Sequence, residues 1–193
     1  MKRLYVTAAR KNDGKTLVTL GLTAALSTRV REIGFIKPLG MRDLKSGTVR
    51  IDQDTLLIDR ACRVHCNIQD MSPVTVSWEF MKEYLRHERR RELMTTVLDA
   101  FGRVSAGKDL VVIEGTGNAA IGSVFGLSNA EVAAALKSKV VLVVSGGIGH
   151  PIDDVLLNQA LFQRHGVEMV GVIVNRVLMH EWQLLDTVGR KIL

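Results

Sequence analysis

Gly14-Lys15-Thr16 stands where a short apolar run, residues 3–8, gives way to a stretch with helical spacing, residues 15–29. A glycine at such a turn lets the backbone approach a ligand closely. The N–H groups that open a helix have no acceptor of their own and carry the positive end of the helix dipole, so the junction suits an anion. Lys15 adds a point charge for β and γ phosphates, and the Thr16 hydroxyl is a ligand for Mg²⁺. Asn12 and Asp13 complete the cradle ahead of Gly14. The full pattern GxxxxGK[ST] asks for glycine at position 9, where this chain has Ala9. Asp13 is unexpected, because a carboxylate beside phosphate is repulsive unless it faces solvent or a metal.

Ligands of open α/β sheets bind outside the carboxyl ends of the strands. Polar residues expected at those ends are Lys37, Glu114, Ser145 and Asn175, with Asp52 and Asp54 opening a helix after the second strand. Lysine, carboxylates and a phosphate loop on one edge make an ATP–Mg²⁺ site, since Mg²⁺ takes hard oxygen ligands from one or two carboxylates, phosphate and water. Each residue also has a plainer reading. Lys37, before Pro38, reads equally as a solvated strand end, Asp52 or Asp54 as a helix N-cap, and Asn175 as a turn residue. Glu114 is harder to read that way, because a charge closing a buried strand usually has a partner.

The elements that must position these groups alternate along the chain. Strands are expected at residues 3–8, 32–37, 110–113, 140–144 and 169–174. Helices are expected at 15–29, 52–63, 128–136, 151–165 and 180–192, with one long or two short helices over 76–105. In the first helix Leu17, Leu20 and Ala24 form one stripe, with Val18, Leu22 and Ala25 beside it. Residues 38–51 read as a polar loop, and Ser128 as an N-cap. Strands apolar on both faces and separated by helices imply a doubly wound parallel sheet covered on both sides. No repeat or linker interrupts residues 1–193, which read as one domain.

Composition narrows the function classes. With 47% hydrophobic and 24% charged residues the chain is an ordinary globular sequence. No apolar run approaches the roughly 20 residues of a membrane span, and the N-terminus lacks a signal-peptide core. A cytoplasmic protein without a membrane partner is expected. Cys62 and Cys66, with His65 between them, would approach one metal on a helix. A structural zinc site needs about four ligands, so they read as reduced, partly buried cysteines. The net charge of +6 owes much to residues 86–92, a mixed-sign run that reads as a solvated helix face and not as a nucleic-acid surface.

Taken together, these residues resemble the dethiobiotin synthetase-like family of P-loop proteins. That family also includes the N-terminal domain of some bacterial phosphate acetyltransferases and is related to the cobyrinic acid a,c-diamide synthases. The matching segments are the loop ending Gly14-Lys15-Thr16, Lys37-Pro38, Asp52-Gln53-Asp54, Glu114-Gly115-Thr116-Gly117, Ser145-Gly146-Gly147 and the strand ending Asn175-Arg176. The resemblance implies a P-loop NTPase fold, ATP and Mg²⁺ as cofactors, an unknown small-molecule substrate and a homodimer. It implies that Asn12, Asp13, Gly14, Lys15 and Thr16 cradle phosphate and that Thr16, Asp54 and Glu114 surround Mg²⁺. It implies Lys37 and Lys15 as the catalytic residues, Lys15 binding phosphate and Lys37 stabilising the transferring phosphoryl group and the substrate carboxylate, with Asn175 facing the adenine. Dethiobiotin synthetases phosphorylate a carbamate that then closes to a ureido ring, which is mostly positioning and charge neutralisation. The resemblance therefore points to an ATP-dependent ligase acting on a small carboxylate or amine. Its alternative is a nucleotide-sensing module without chemistry of its own, like the acetyltransferase domain. A third class, the partitioning ATPases, carries a lysine near the start of the loop, where this chain has Arg10. The chain is expected to end before the family's last strand.

Overall fold

A computed structural model describes residues 1–41, 43–46, 49–86, 90–147 and 150–181. Its first half runs β1 (Lys2–Ala8), α1 (Lys15–Ser27), β2 (Ile33–Ile36), β3 (Leu39–Gly40), β4 (Asp43–Ser46), β5 (Val49–Asp52), α2 (Gln53–Cys62), α3 (Ile68–Met71) and β6 (Val74–Thr75). Then follow α4 (Trp78–Arg86), α5 (Arg90–Ser105), β7 (Leu110–Glu114), α6 (Asn129–Ala135), β8 (Lys139–Ser145), α7 (His150–Arg164) and β9 (Met169–Asn175).

Five strands form the main sheet in the order β2-β7-β1-β8-β9. Every pairing within it is parallel. All residues of β2 and β7 are buried, as they must be when helices cover both faces. The step from β1 to β2 runs opposite in direction to the later steps β2–β7, β7–β8 and β8–β9. With right-handed crossovers this puts α1 on one face and α5, α6 and α7 on the other. The core is centred on Tyr5, Phe35, Ile113 and Val143 of the strands, packed with Phe101 and Phe162 of the helices. Because the strands are parallel, Ala8, Lys37, Glu114, Ser145 and Asn175 all arrive at one edge of the sheet.

Three local expectations are corrected. The stretch expected as a loop, residues 38–51, holds strands among its described residues, since β4 pairs antiparallel with β5 and β3 pairs with β6. The missed signal was the period-two alternation of Val49 and Ile51 about Arg50. Leu17 does not face the core, being 69% exposed, and α1 instead buries Thr19 and Thr23. Their hydroxyls donate back to the carbonyls of Lys15 and Thr19, which satisfies them inside the protein. Cys66 is not on a helix with Cys62, because α2 ends at Cys62 and both Arg63 and His65 are left-handed. Among the described residues no group of three or more His, Cys, Asp or Glu could hold a metal.

The region expected as one long or two short helices is two, α4 and α5. Of the charged run at 86–92, Arg86 closes α4 and Arg90–Glu92 open α5, while 87–89 lie outside the described residues, as does the helix expected at 180–192 beyond a short turn at Met179–Glu181. No helix among the described residues is long and apolar enough to cross a membrane.

Candidate functional site

The loop between β1 and α1 is built for close approach. Gly14 has φ 91° and caps α1 with no side chain bonded to the helix's first N–H groups, which leaves them free for a ligand. A β-carbon at Gly14 would also overlap the side-chain amide of Asn175, so only glycine fits. Asn12 is left-handed too, at φ 71°, a conformation asparagine tolerates better than most residues. Ala9, where the motif has glycine, is 5% exposed and packs with Leu142, Val144 and Val155. It is not among the left-handed residues, so this position makes no demand for glycine.

Asp13 resolves its own oddity. It is 4% exposed, and its carboxylate accepts the Arg10 backbone N–H and the Ser145 hydroxyl, both at 2.8 Å. Its charge is thus tied into the loop and the end of β8. The Asn175 side-chain amide donates to the Asp13 carbonyl at 2.8 Å, so the end of β9 holds the same loop.

Behind the loop lies a buried charge cluster. Lys15 Nζ sits 2.5 Å from Glu114 Oε1, and Lys37 Nζ sits 3.3 Å from the same oxygen. Lys37 also pairs with Asp52 at 2.8 Å and, closer still, with Asp54. The Thr16 hydroxyl lies 3.5 Å from Glu114 Oε1. Burial pulls both ammonium groups toward deprotonation. For Lys15 it wins over Glu114, and the pKa falls below the ordinary lysine value. For Lys37 the carboxylates of Glu114, Asp52 and Asp54 together outweigh burial, and its pKa lies above the ordinary value. Asp52 also caps α2 through the Asp54 N–H and accepts the Met41 N–H, so it serves both the fold and the cluster. The plainer reading of Lys37 as a solvated strand end does not survive its 4% exposure.

Two features bear on a divalent cation. Glu114 Oε2 is buried and has no hydrogen-bond partner. The donor set of Thr16, Asp54 and Glu114 is all oxygen, the kind Mg²⁺ takes, with phosphate and water completing its shell.

The opposite wall, residues 115–122, was legible only as Gly-rich, and the residue that shapes it, Asn129, was missed. Asn129 accepts the Tyr5 hydroxyl at 2.9 Å and the Thr116 N–H at 3.1 Å, and its amide donates to the Gly117 carbonyl at 3.1 Å. Thr7 Oγ1 donates to that same carbonyl. The available signal was Ser128-x-x-Glu131, a capping box that sets Asn129 at the first position of α6. Helix α7 ties the two walls together. Asp154 pairs with Arg10 at 2.8 Å, and one turn later Asn158 accepts the Ala119 N–H at 2.7 Å. The cleft enclosed by these elements has a volume of about 670 Å³ and is lined by Lys15, Thr16, Lys37 and Asp54 on one side and Arg176 on the other.

Comparison with known proteins agrees with this geometry. The sequence profile of a family described as AAA domain matches residues 2–190. The chain is 27% identical over 182 residues to phosphate acetyltransferase from Nitratidesulfovibrio vulgaris, covering 92% of this chain and 25% of that protein. The chain thus spans about a quarter of the length of that relative. It is 22% identical over 197 residues to the ATP-dependent dethiobiotin synthetase BioD 2 of Escherichia coli K12, covering 100% of this chain and 83% of that one. Among solved structures, the septum site-determining protein MinD from Pyrococcus horikoshii, complexed with Mg-ADP, aligns with a TM-score of 0.55 at 18% identity over 95% of this chain and 76% of that one. The chimerical protein CapA2B2 aligns with a TM-score of 0.59 at 14% identity over 91% of this chain and 76% of that one. These two establish the fold alone. With a profile spanning nearly its whole length, the chain belongs to the AAA domain family of P-loop nucleotide-binding proteins and is similar to the dethiobiotin synthetases within that fold.

Proposed function

We propose that the protein binds ATP with Mg²⁺ and uses it as a synthetase of the carbon–nitrogen ligase type, acting on a small carboxylate or amine. The observation that carries this reading is the convergence of Lys15 and Lys37 on one oxygen of Glu114, beside the open N-terminus of α1. A site that only held a nucleotide would need Lys15 and the loop. The second buried lysine, with Asp52 and Asp54 around it, adds a charge where a phosphoryl group would be transferred.

In this reading the backbone N–H groups of Asn12, Asp13 and Gly14 and the first turn of α1 cradle the phosphates. Lys15 leaves Glu114 for the β and γ phosphates. Thr16, Asp54 and Glu114 hold Mg²⁺, which when bound neutralises charge on the phosphate oxygens. The partnerless Glu114 Oε2 supports that role, because ligating a cation there breaks no existing hydrogen bond. Lys37 stabilises the transferring phosphoryl group, and Asn175 meets the base through its free Oδ1. Residues 116–122 close the far side and limit water. The similarity to a dethiobiotin synthetase over the full length of this chain supports the ligase class. A homodimer is proposed with it, and sedimentation would test that. A cytoplasmic location is proposed on the two unpaired, half-buried cysteines.

One observation favours a second reading, a regulatory nucleotide sensor. The chain also matches a quarter of the length of a longer protein, a phosphate acetyltransferase. Calorimetric titration with a non-hydrolysable ATP analogue, with and without Mg²⁺, is the first test. Mg²⁺-dependent binding is expected, and no binding under either condition overturns both readings. ADP release with candidate amines and carboxylates then separates ligase from sensor.

A further inference from the structure

Arg176 lines the cleft, yet its guanidinium makes no hydrogen bond, ion pair or ring contact among the described residues. Its backbone is left-handed, with φ 56°, a conformation that is costly for a residue bearing a side chain. The strand end beside it is closely packed. The Gly146 N–H donates to the Asn175 carbonyl at 2.6 Å, and a β-carbon at Gly146 would come within 3.0 Å of the Arg176 carbonyl. Arg176 is exposed on the wall of the cleft, so its guanidinium is free to meet a ligand held there, and its unusual backbone fixes where the side chain starts.

The sheet order says which part of the ligand. Lys37, Asp54 and Glu114 lie on the β2–β7 side of β1, and they fix where the terminal phosphate goes. A triphosphate lying across the loop then puts its nucleoside on the other side, at the ends of β8 and β9, where Asn175 and Arg176 sit. Asn175 has committed its amide nitrogen to Asp13, which turns Oδ1 outward as an acceptor. A hydrogen-bond acceptor suits an exocyclic amine. A planar guanidinium suits the face of an extended aromatic ring.

We propose that Arg176 is a base-binding residue for the nucleoside, its guanidinium stacking on a purine face while Asn175 Oδ1 accepts from the amine of adenine. This rests on the phosphate-loop reading above, and the test separates the two. The full chain is titrated, with Mg²⁺, with non-hydrolysable analogues of ATP, GTP and CTP and with inorganic tripolyphosphate, alongside Arg176→Ala and Arg176→Lys. The unaltered chain should prefer the ATP analogue. Both variants should lose on the order of tenfold affinity for it, the scale of one base–side-chain stack, while tripolyphosphate affinity stays unchanged. Lysine fails in this account because it keeps the charge but not the plane.

An equal loss for tripolyphosphate would make Arg176 a phosphate ligand and overturn the proposal. Unchanged affinity for the ATP analogue would make it a bystander. Failure of the unaltered chain to bind even tripolyphosphate would instead bring down the phosphate loop itself, and the Arg176 assignment with it. Arg176→Gly removes the side chain and the backbone strain together, so it supplies the same readout if the alanine variant folds poorly.

Discussion

Lys37 is surrounded by more negative charge than it carries, and its side chain is only 5% exposed. Removing it would leave Asp52, Asp54 and Glu114 facing one another with Lys15 as the one described cation of the cluster. Breaking a buried ionic group from one side is far more damaging than replacing the whole group. Lys37→Met should therefore cost about 3 kcal/mol of stability in urea unfolding. A loss well under about 1 kcal/mol, the scale of a surface pair, would mean that the cluster contributes little to folding and is retained for its chemistry. At this scale the sequence was informative wherever a residue's neighbours are close along the chain or its type admits few roles. Lys15, Thr16 and Lys37 line the cleft where motif and strand ends place them, and Glu114, fully buried behind it, pairs with both lysines. The orientation of Asp13 was not legible, because the hydroxyl that holds it, on Ser145, is 132 positions away. The fate of the Ala9 methyl was hidden for the same reason, since it depends on β8 and α7.

Helix α6 is short, and its start is what fixes the wall of the cleft. Ser128 accepts the Glu131 N–H at 3.1 Å, while the Glu131 carboxylate accepts the Ser128 N–H at 2.9 Å. This box holds Asn129 in register with Tyr5, Thr116 and Gly117. Ser128→Ala should destabilise the protein by about 1 kcal/mol, the usual worth of an N-cap, and a thermal melt will show it. No change in the melt would mean that Asn129 alone anchors the helix start. The cap was visible in the sequence because it is a local pattern of four residues. The β4–β5 pair was not, because its strands are four residues each and polar residues flank them. Parallel strands were legible as unbroken apolar runs, the mark of burial on both faces. The outward turn of Leu17 was missed because apolar spacing marks two adjacent stripes on α1 and cannot say which one meets the sheet.

The whole molecule places every candidate ligand at one edge of one sheet, so ligand binding should report on global stability. A ligand present at 100 times its dissociation constant and bound only by the folded state adds about 2.7 kcal/mol. For a chain of this size that corresponds to a rise in Tm of about 5–10 °C. The Mg²⁺ complex of an ATP analogue should produce that rise, and an absent shift at saturating concentration would contradict binding to the folded chain. The order β2-β7-β1-β8-β9 could not be read from the sequence, because alternation of strands and helices fixes that a sheet is parallel and not which strands adjoin. The order nevertheless decides which end of a nucleotide meets which side chains. Asp154 and Asn158 add a further constraint. One grips the phosphate loop and the other the facing wall, from positions a single helical turn apart on α7. Both walls are consequently referenced to one rigid helix, whose four-residue step is about 6 Å, and not to two independent loops. A shift of α7 would therefore move both walls together, so the phosphate loop and the facing wall are coupled through one helix.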